Sequence, residues 1–378
     1  MRRVRLHLVA GAAVVLSRLC AGQVPPPRPI LYVNAKGGHA VLPDGHPSTL
    51  PGWEGNETLP VWSPTGALWA YARGDARTRK TSLEVRGWKT GPQVLFTSGD
   101  EAFSHDVLAW APDGTRLATV LYRAAPAEEA LAVFDATKGK LVSRVALPTD
   151  VIDPEQGRLS IQWSPDGRKI LVADQRALVV DVARGSVDTL PADLVTAQWA
   201  PGGDGLYYFA GGAADTTRMG IRKVAEFYFR RLDAPASRLA ERDQVVALGL
   251  EAHDPQGMWT ASPSGTRLAV WASKLGESGA DTSVVYLYDL STTTPIALER
   301  PAHSVRIPGW VILRRVEWSP DERSVAMFGL SPDKGGGFEI RLLDAQAGTW
   351  RTVTRVDPGE DGADLYVMTN LRVMSWTQ

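Results

Sequence analysis

The sequence predicts an all-β fold, a seven-bladed β-propeller whose closing blade is shared between the N- and C-termini. Three observations carry that prediction. A block made of tryptophan, a small residue, proline, a turn residue and glycine recurs along the chain. Between the blocks lie apolar strands that end in a polar residue, usually Asp, and usually run on to a glycine. The 378 residues include 36 Gly and 26 Pro and show no sustained helical periodicity, which suits many short strands joined by turns.

Taken in chain order, "ILYVNAKGG" (30–38) is a strand of the second kind and precedes any tryptophan block. The blocks then begin at Trp62-Ser-Pro-Thr-Gly66 and Trp110-Ala-Pro-Asp-Gly114, and continue through "QWSPDGRKILVAD" (162–174) and Trp199-Ala-Pro-Gly-Gly203. Ala261-Ser-Pro-Ser-Gly265 and Trp318-Ser-Pro-Asp-Glu322 follow, and "LRVMSW" ends the series at Trp376 without its turn. The strands between them are "SLEVRGWKTG" (82–91), "LAVFDATKG" (131–139), "LVVDVARG" (178–185), "FYFRRLDA" (227–234), "VYLYDLS" (285–291) and "IRLLDAQAG" (340–348).

The turn inside each block has a local cause. In the third copy Pro165 presets φ near −65°, Asp166 tolerates the next position, and Gly167 takes the φ > 0 position that closes a short bulged hairpin. The β-branched run after it continues as a strand. Two copies depart from the pattern. Ala261 replaces the tryptophan, leaving a gap unless Trp259 fills it from the same strand face. Glu322 stands where the other copies carry glycine, so it must adopt φ > 0 at some cost or force a different turn.

The two ends complement each other. The C-terminus supplies a tryptophan-type strand, and residues 30–44 supply the two strands that should follow it. Units that cannot bury both faces alone are stabilised by a ring with no open end. Six blades plus an extra strand is the alternative.

The repeated tryptophan, small residue, Pro, Asp, Gly and apolar strand resembles the TolB-type β-propeller repeat, a relative of the WD-repeat propellers, over nearly all of residues 30–378. The resemblance implies the fold. It says little of function, because that family includes periplasmic partner-binding proteins, propeller domains of serine peptidases and some polysaccharide lyases. TolB itself carries an additional α/β domain before its repeats, whereas here a proline-rich segment, Gln23 to Pro29, precedes the first strand. The likeness to TolB is therefore one of the propeller only.

The N-terminus reads as an address. Arg2, Arg3 and Arg5 form a basic region, Leu6 to Leu16 an apolar one, and Ala21-Gly22 a cleavage site for a secretory signal peptide. The apolar run is short of the roughly 20 residues a membrane span needs, so the cleaved chain is expected not to span a membrane. This divides the chain into a signal peptide (1–22), a linker (23–29) and one propeller (30–378), and places it in the periplasm or outside the cell. Cleavage would remove Cys20, the single cysteine, and four arginines, leaving about −5 from a formal charge of −1. Such a balance implies neither nucleic acid nor an anionic membrane as partner.

Catalytic signatures are sparse. The chain has no Gly-x-Ser-x-Gly elbow, no His-Glu-x-x-His and no Gly-x-x-x-x-Gly-Lys. No cofactor is implied. His39 and His46 flank a hairpin of the closing blade and read as exposed turn residues. His105, His253 and His303 fall in the connectors that feed the tryptophan strands, which in a propeller ring one mouth of the central channel. Asp106 and Asp254 follow two of them.

Those connectors, taken as 51–60, 98–106, 148–157, 188–193, 251–257, 299–309 and 357–364, hold 17 carboxylates against two arginines. Glu101, Asp150, Asp153 and Glu155 are among them. Farther from the axis, "RGDARTRK" (73–80) and "TTRMGIRKV" (216–224) lean basic. Trp53 and Trp310 lie in mouth connectors as platforms for a peptide or sugar ring, or as packing under the loop. "DPGEDGAD" (357–364) offers Asp357, Asp361 and Asp364 as a partial calcium loop, but glycine replaces one ligand and no bidentate glutamate follows at the required distance.

The expected function is therefore a secreted or periplasmic binding module, a monomer, whose acidic mouth captures a segment of a partner protein or a cationic ligand. A small ligand or glycan is the other kind of guest. The alternative is a lyase or hydrolase acting on a glycan through the mouth histidines and carboxylates.

Overall fold

The computed structural model describes residues 28–34, 37–53, 58–104, 107–124, 127–148, 159–174, 176–190, 194–200, 202–217, 220–232, 236–238, 259–274, 282–290, 301–331, 337–356 and 374–375. Among them every regular element is a strand, and the strands form seven antiparallel sheets that close a ring. The seven-bladed expectation holds, and the six-bladed one falls.

Blades 1 to 6 follow chain order. Their first strands are Val61–Trp62, Ala109–Trp110, Ser160–Trp163, Leu194–Trp199, Trp259–Ala261 and Val311–Trp318. Each pairs with the second strand of its own blade, the second with the third, and the third with the fourth. In blade 2 the first strand is broken, since Ala102–Phe103 and Ala109–Trp110 both pair with Arg116–Ala124. The closing blade joins the two ends of the chain. Met374–Ser375 pairs with Ile30–Asn34, which continues into Gly37–Val41 and Pro47–Ser48.

Alternation along these strands buries both sheet faces between neighbouring blades. In the closing blade Ile30, Tyr32 and Val41 pack on Phe328, Phe338 and Ile340 of blade 6. Leu31 and Ala40, facing the other way, pack on Trp62, Trp69 and Tyr71 of blade 1. The closing blade is thus held from both sides, and few residues of its own are needed to hold it.

The recurring tryptophan has a specific task. Its indole N–H donates across the seam to the carbonyl of the residue that precedes the tryptophan position in the previous blade. Trp110 bonds to Val61 O at 3.0 Å, Trp163 to Ala109 O at 3.0 Å, Trp199 to Gln162 O at 3.1 Å and Trp318 to Thr260 O at 3.2 Å. Where Ala261 interrupts the series, Trp259 fills the core at 4% exposure. There the Gln198 side chain reverses the bond, accepting from Ala261 N at 2.9 Å and reaching Trp259 O at 3.4 Å. At the closing seam the bond is missing, because the Trp62 Nε1 is buried with no acceptor.

The turns behave as their residues dictate. Gly66, Gly114, Gly167, Gly203 and Gly265 all take φ between 67° and 70°. Glu322 takes the same conformation at φ 59°, the strained of the two options. Its carboxylate accepts from Ser264 N and, at 2.9 Å, from Ser264 Oγ, so the strain is offset by a tie to the turn of blade 5. The aspartates that end the third strands cap the hairpins after them. Asp135 accepts from Thr137 N and Lys138 N, and Asp344 from Gln346 N and Ala347 N.

Candidate functional site

Of the residues expected at the mouth, Trp53, Glu101, His303 and Trp310 belong to the described part of the chain. His105, Asp106, Asp150, Asp153, Glu155, His253, Asp254, Asp357, Asp361 and Asp364 lie outside it. Of these four, Trp53 lines the recess described below, while Glu101 is ion-paired, His303 stands on an outer strand and Trp310 is buried.

Glu101 is neutralised in place. It lies between Arg144, whose Nη1 is 2.9 Å from one carboxylate oxygen, and Arg123, whose Nη2 is 3.0 Å from the other. The Arg144 hydrogen bond is the main stabilising cause that holds its carboxyl below the usual range, with Arg123 adding to it. Its charge is spent within blade 2.

His303 is not in a connector. It opens the fourth strand of blade 5, His303–Pro308, in which Val305 and Ile307 are buried while His303, Ser304, Arg306 and Pro308 are exposed. This alternation is visible in "HSVRIP" and marks an outer strand. Asp188 likewise sits in the outer strand Ser186–Thr189 of blade 3.

Trp310 is fully buried and offers no platform. The Arg341 guanidinium stacks against it at 4.6 Å and against Trp350 at 4.4 Å, and is paired to Glu339 with Nη2–Oε2 at 2.7 Å. This clasp of arginine between two indoles fastens the start of blade 6 to its own outer strand.

Trp53 behaves differently. Its connector leaves the closing blade in a turn closed by Trp53 N donating to Leu50 O at 3.1 Å, with Gly52 at φ 68°. A side chain at position 52 would collide with the Arg86 guanidinium, so the glycine admits that arginine against the loop. The indole packs on the Trp62, Trp69 and Tyr71 cluster and stays half-exposed. Its other side contributes to a recess of about 280 Å³.

The recess lies where the closing blade meets the outer strand of blade 6. Tyr32 and His39, directly opposed on paired strands, stack with ring centres 5.2 Å apart and planes 20° from parallel. His39 is therefore a half-buried strand residue and not an exposed turn residue; His46 is the exposed one. Ser48, Thr49 and Thr354 add hydroxyls. Burial pushes the Tyr32 phenol up, opposed by a hydrogen bond from the Thr354 side chain. His39 was readable in the sequence only through its cross-strand partner, and Thr354 could not be placed here from sequence at all.

No carboxylate lines this recess among the described residues, nor does any described group of three His, Cys, Asp or Glu side chains form a metal set. What the arrangement offers is aromatic faces and hydroxyls for non-covalent recognition.

Fold and recess together define the class as a β-propeller with an aromatic recess at its closing seam. No family model matches the chain, and no curated protein matches it. Solved β-propeller structures do. An oligogalacturonate lyase from Vibrio parahaemolyticus superposes with TM-score 0.54 at 10% identity, covering 86% of this chain and 93% of that one. An acylaminoacyl peptidase from Pyrococcus horikoshii gives 0.53 at 14% identity over 86% of this chain, which spans 50% of the peptidase. A functionally unknown protein from Desulfotomaculum acetoxidans gives 0.51 at 13%, covering 87% and 95%. Likeness at these identities concerns the fold alone.

Proposed function

We propose that this chain is an exported β-propeller binding module of the TolB type that captures its ligand at the closing seam. The observation that supports this most directly is the recess itself: a half-exposed Trp53, a Tyr32–His39 stack and three hydroxyl side chains converge on one opening. Concave sites that combine aromatic surface with a few placed polar groups are the usual form of small-ligand sites.

The acidic connectors remain part of the proposal as a long-range feature. Asp150, Asp153 and Glu155 would raise the local concentration of a cationic guest. The first residues, through Ala21 or Gly22, would direct export and be removed, and no helix of the described residues is long and apolar enough to cross a membrane.

Binding to an immobilised panel of peptides and oligosaccharides tests the reading, with Trp53→Ala beside the wild type. The reading expects at least one ligand whose capture falls about tenfold or more in the variant while the melting temperature holds. Capture that is indifferent to Trp53→Ala, or a ligand converted to product by the wild type, overturns it. Export is checked by sequencing the mature N-terminus, expected near Ala21 to Val24; a chain still beginning at Met1 contradicts that part.

A further inference from the structure

We infer that the recess is built for an uncharged sugar ring, an inference that rests on the reading of the closing seam as the binding site. Four features point to this chemistry.

The first is charge. The recess is lined by Tyr32, His39, Ser48, Thr49, Trp53 and Thr354 together with small and aliphatic residues, and no carboxylate or Lys or Arg side chain is among the described lining. A charged ligand entering it would give up hydration with no opposite charge among the described lining residues to replace it.

The second is the pairing of flat apolar surface with hydroxyls. A sugar ring presents an apolar face of C–H groups and a rim of hydroxyls. The Trp53 indole and the Tyr32–His39 stack give the face a surface to cover. Ser48 and Thr49 can each donate or accept, and Thr354, whose proton goes to the Arg355 carbonyl at 3.3 Å, can accept, which matches the rim, whose hydroxyls do both. An aliphatic side chain would use the rings and gain nothing from the hydroxyls.

The third is size. At about 30 Å³ per water, a recess of about 280 Å³ displaces about nine waters, which suits one ring of a saccharide and not several in a row. A longer glycan would be held by one residue, the remainder passing over the exposed Thr49.

The fourth is rigidity. Tyr32 and His39 sit on paired strands, Thr354 is on the outer strand of blade 6, and the Gly45 turn approaches the Val353 carbonyl closely. The walls belong to two blades that are packed together through Ile30, Tyr32, Phe338 and Val356. Such a site is preformed, and binding orders little that is not already ordered.

The experiment is isothermal titration of the full chain with neutral hexasaccharides of glucose, mannose, galactose and N-acetylglucosamine, and with hexagalacturonate and hexalysine. One or more neutral hexasaccharides should bind. Trp53→Ala should weaken that binding about tenfold, and Thr354→Val, which keeps the side-chain shape, about three- to tenfold. Trp53→Phe serves if Trp53→Ala does not fold, and should retain most of the affinity. Binding of hexagalacturonate or hexalysine alone, lost in Trp53→Ala, overturns the sugar assignment while leaving the seam as the site. Binding of a neutral sugar unaffected by both substitutions, or no Trp53-dependent binding of any probe, overturns the assignment and the seam together.

Discussion

Replacing Trp163 by phenylalanine and, separately, Trp62 by phenylalanine makes the same chemical change at two equivalent positions of the repeat. Only one of them removes a hydrogen bond. The Trp163 indole donates to Ala109 O at 3.0 Å and lies under Arg116, whose guanidinium carbon is 4.7 Å from the ring centre. Removing that donor leaves a buried carbonyl short of a partner, at about 1–3 kcal/mol, and weakens the cation–π contact by about 0.5 kcal/mol. The Trp62 indole donates to nothing, so its removal relieves a buried, unsatisfied group. The loss of apolar area is common to both changes. It is larger at Trp62, which is 0% exposed against 7% for Trp163, so it works against the expected order.

The expected difference is about 2 kcal/mol, with Trp163→Phe the less stable. An unfolding entropy of about 2.1 cal/mol/K per residue gives roughly 0.8 kcal/mol/K for a chain of 378 residues, so the melting temperatures should differ by about 2.5 °C. Scanning calorimetry of the two variants and the wild type reads this directly. Equal destabilisation, or Trp62→Phe the worse of the two, would refute the claim that the repeat tryptophan acts as a bond between blades.

The other expectations concern strain, closure and pH. Glu322→Ala should be less stable than Glu322→Gly by about 1–2 kcal/mol in urea titrations, because both lose the bonds to Ser264 but only alanine keeps the left-handed strain; equal stabilities would mean that φ 59° costs nothing. Removing residues 371–378 takes Met374–Ser375 from beside Ile30–Asn34 and exposes a strand edge, so light scattering should show aggregation; a truncated chain as soluble and heat-stable as the full one contradicts closure. The Tyr71 phenol is buried and donates to Glu84 at 3.0 Å, and burial above all pushes its pKa up to about 12. Its folded-state pKa lies above the unfolded value of about 10, so its contribution is intact below pH 10 and is lost as pH rises towards 12. Tyr71→Phe should flatten that part of the stability profile, and an unchanged profile would refute the assignment.

The ring was legible in the sequence because each element of it has a local cause. Pro165 and Gly167 dictate their turn without help from the rest of the chain, and the apolar strands announce both faces buried. Trp110, Trp163, Trp199 and Trp318 both mark the repeat in the sequence and fasten the seams between blades. The site was legible only in part. Trp53 stands out in the sequence because a tryptophan in a connector is conspicuous. His303 reads as a connector residue on its own, yet the alternation of Val305 and Ile307 makes its segment a strand. Trp310 stood in a connector in sequence, yet its partners Arg341 and Trp350 come from strands 31 and 40 residues away and could not be paired with it in advance. The recess depends on Tyr32, His39 and Thr354 meeting across the junction of the closing blade and blade 6, an arrangement that ring closure creates and no local pattern records.

The central claim, that the closing seam is where this propeller binds, is tested most directly by hydrogen exchange along the chain with and without saturating neutral hexasaccharide. The closing blade and the strand Trp350–Val356 enclose the recess, so ligand should slow exchange at the amides of residues 31, 32, 40 and 354 and leave blades 2 to 4 unchanged. Protection confined to blades 2 to 4, with the closing blade exchanging as before, would contradict the account.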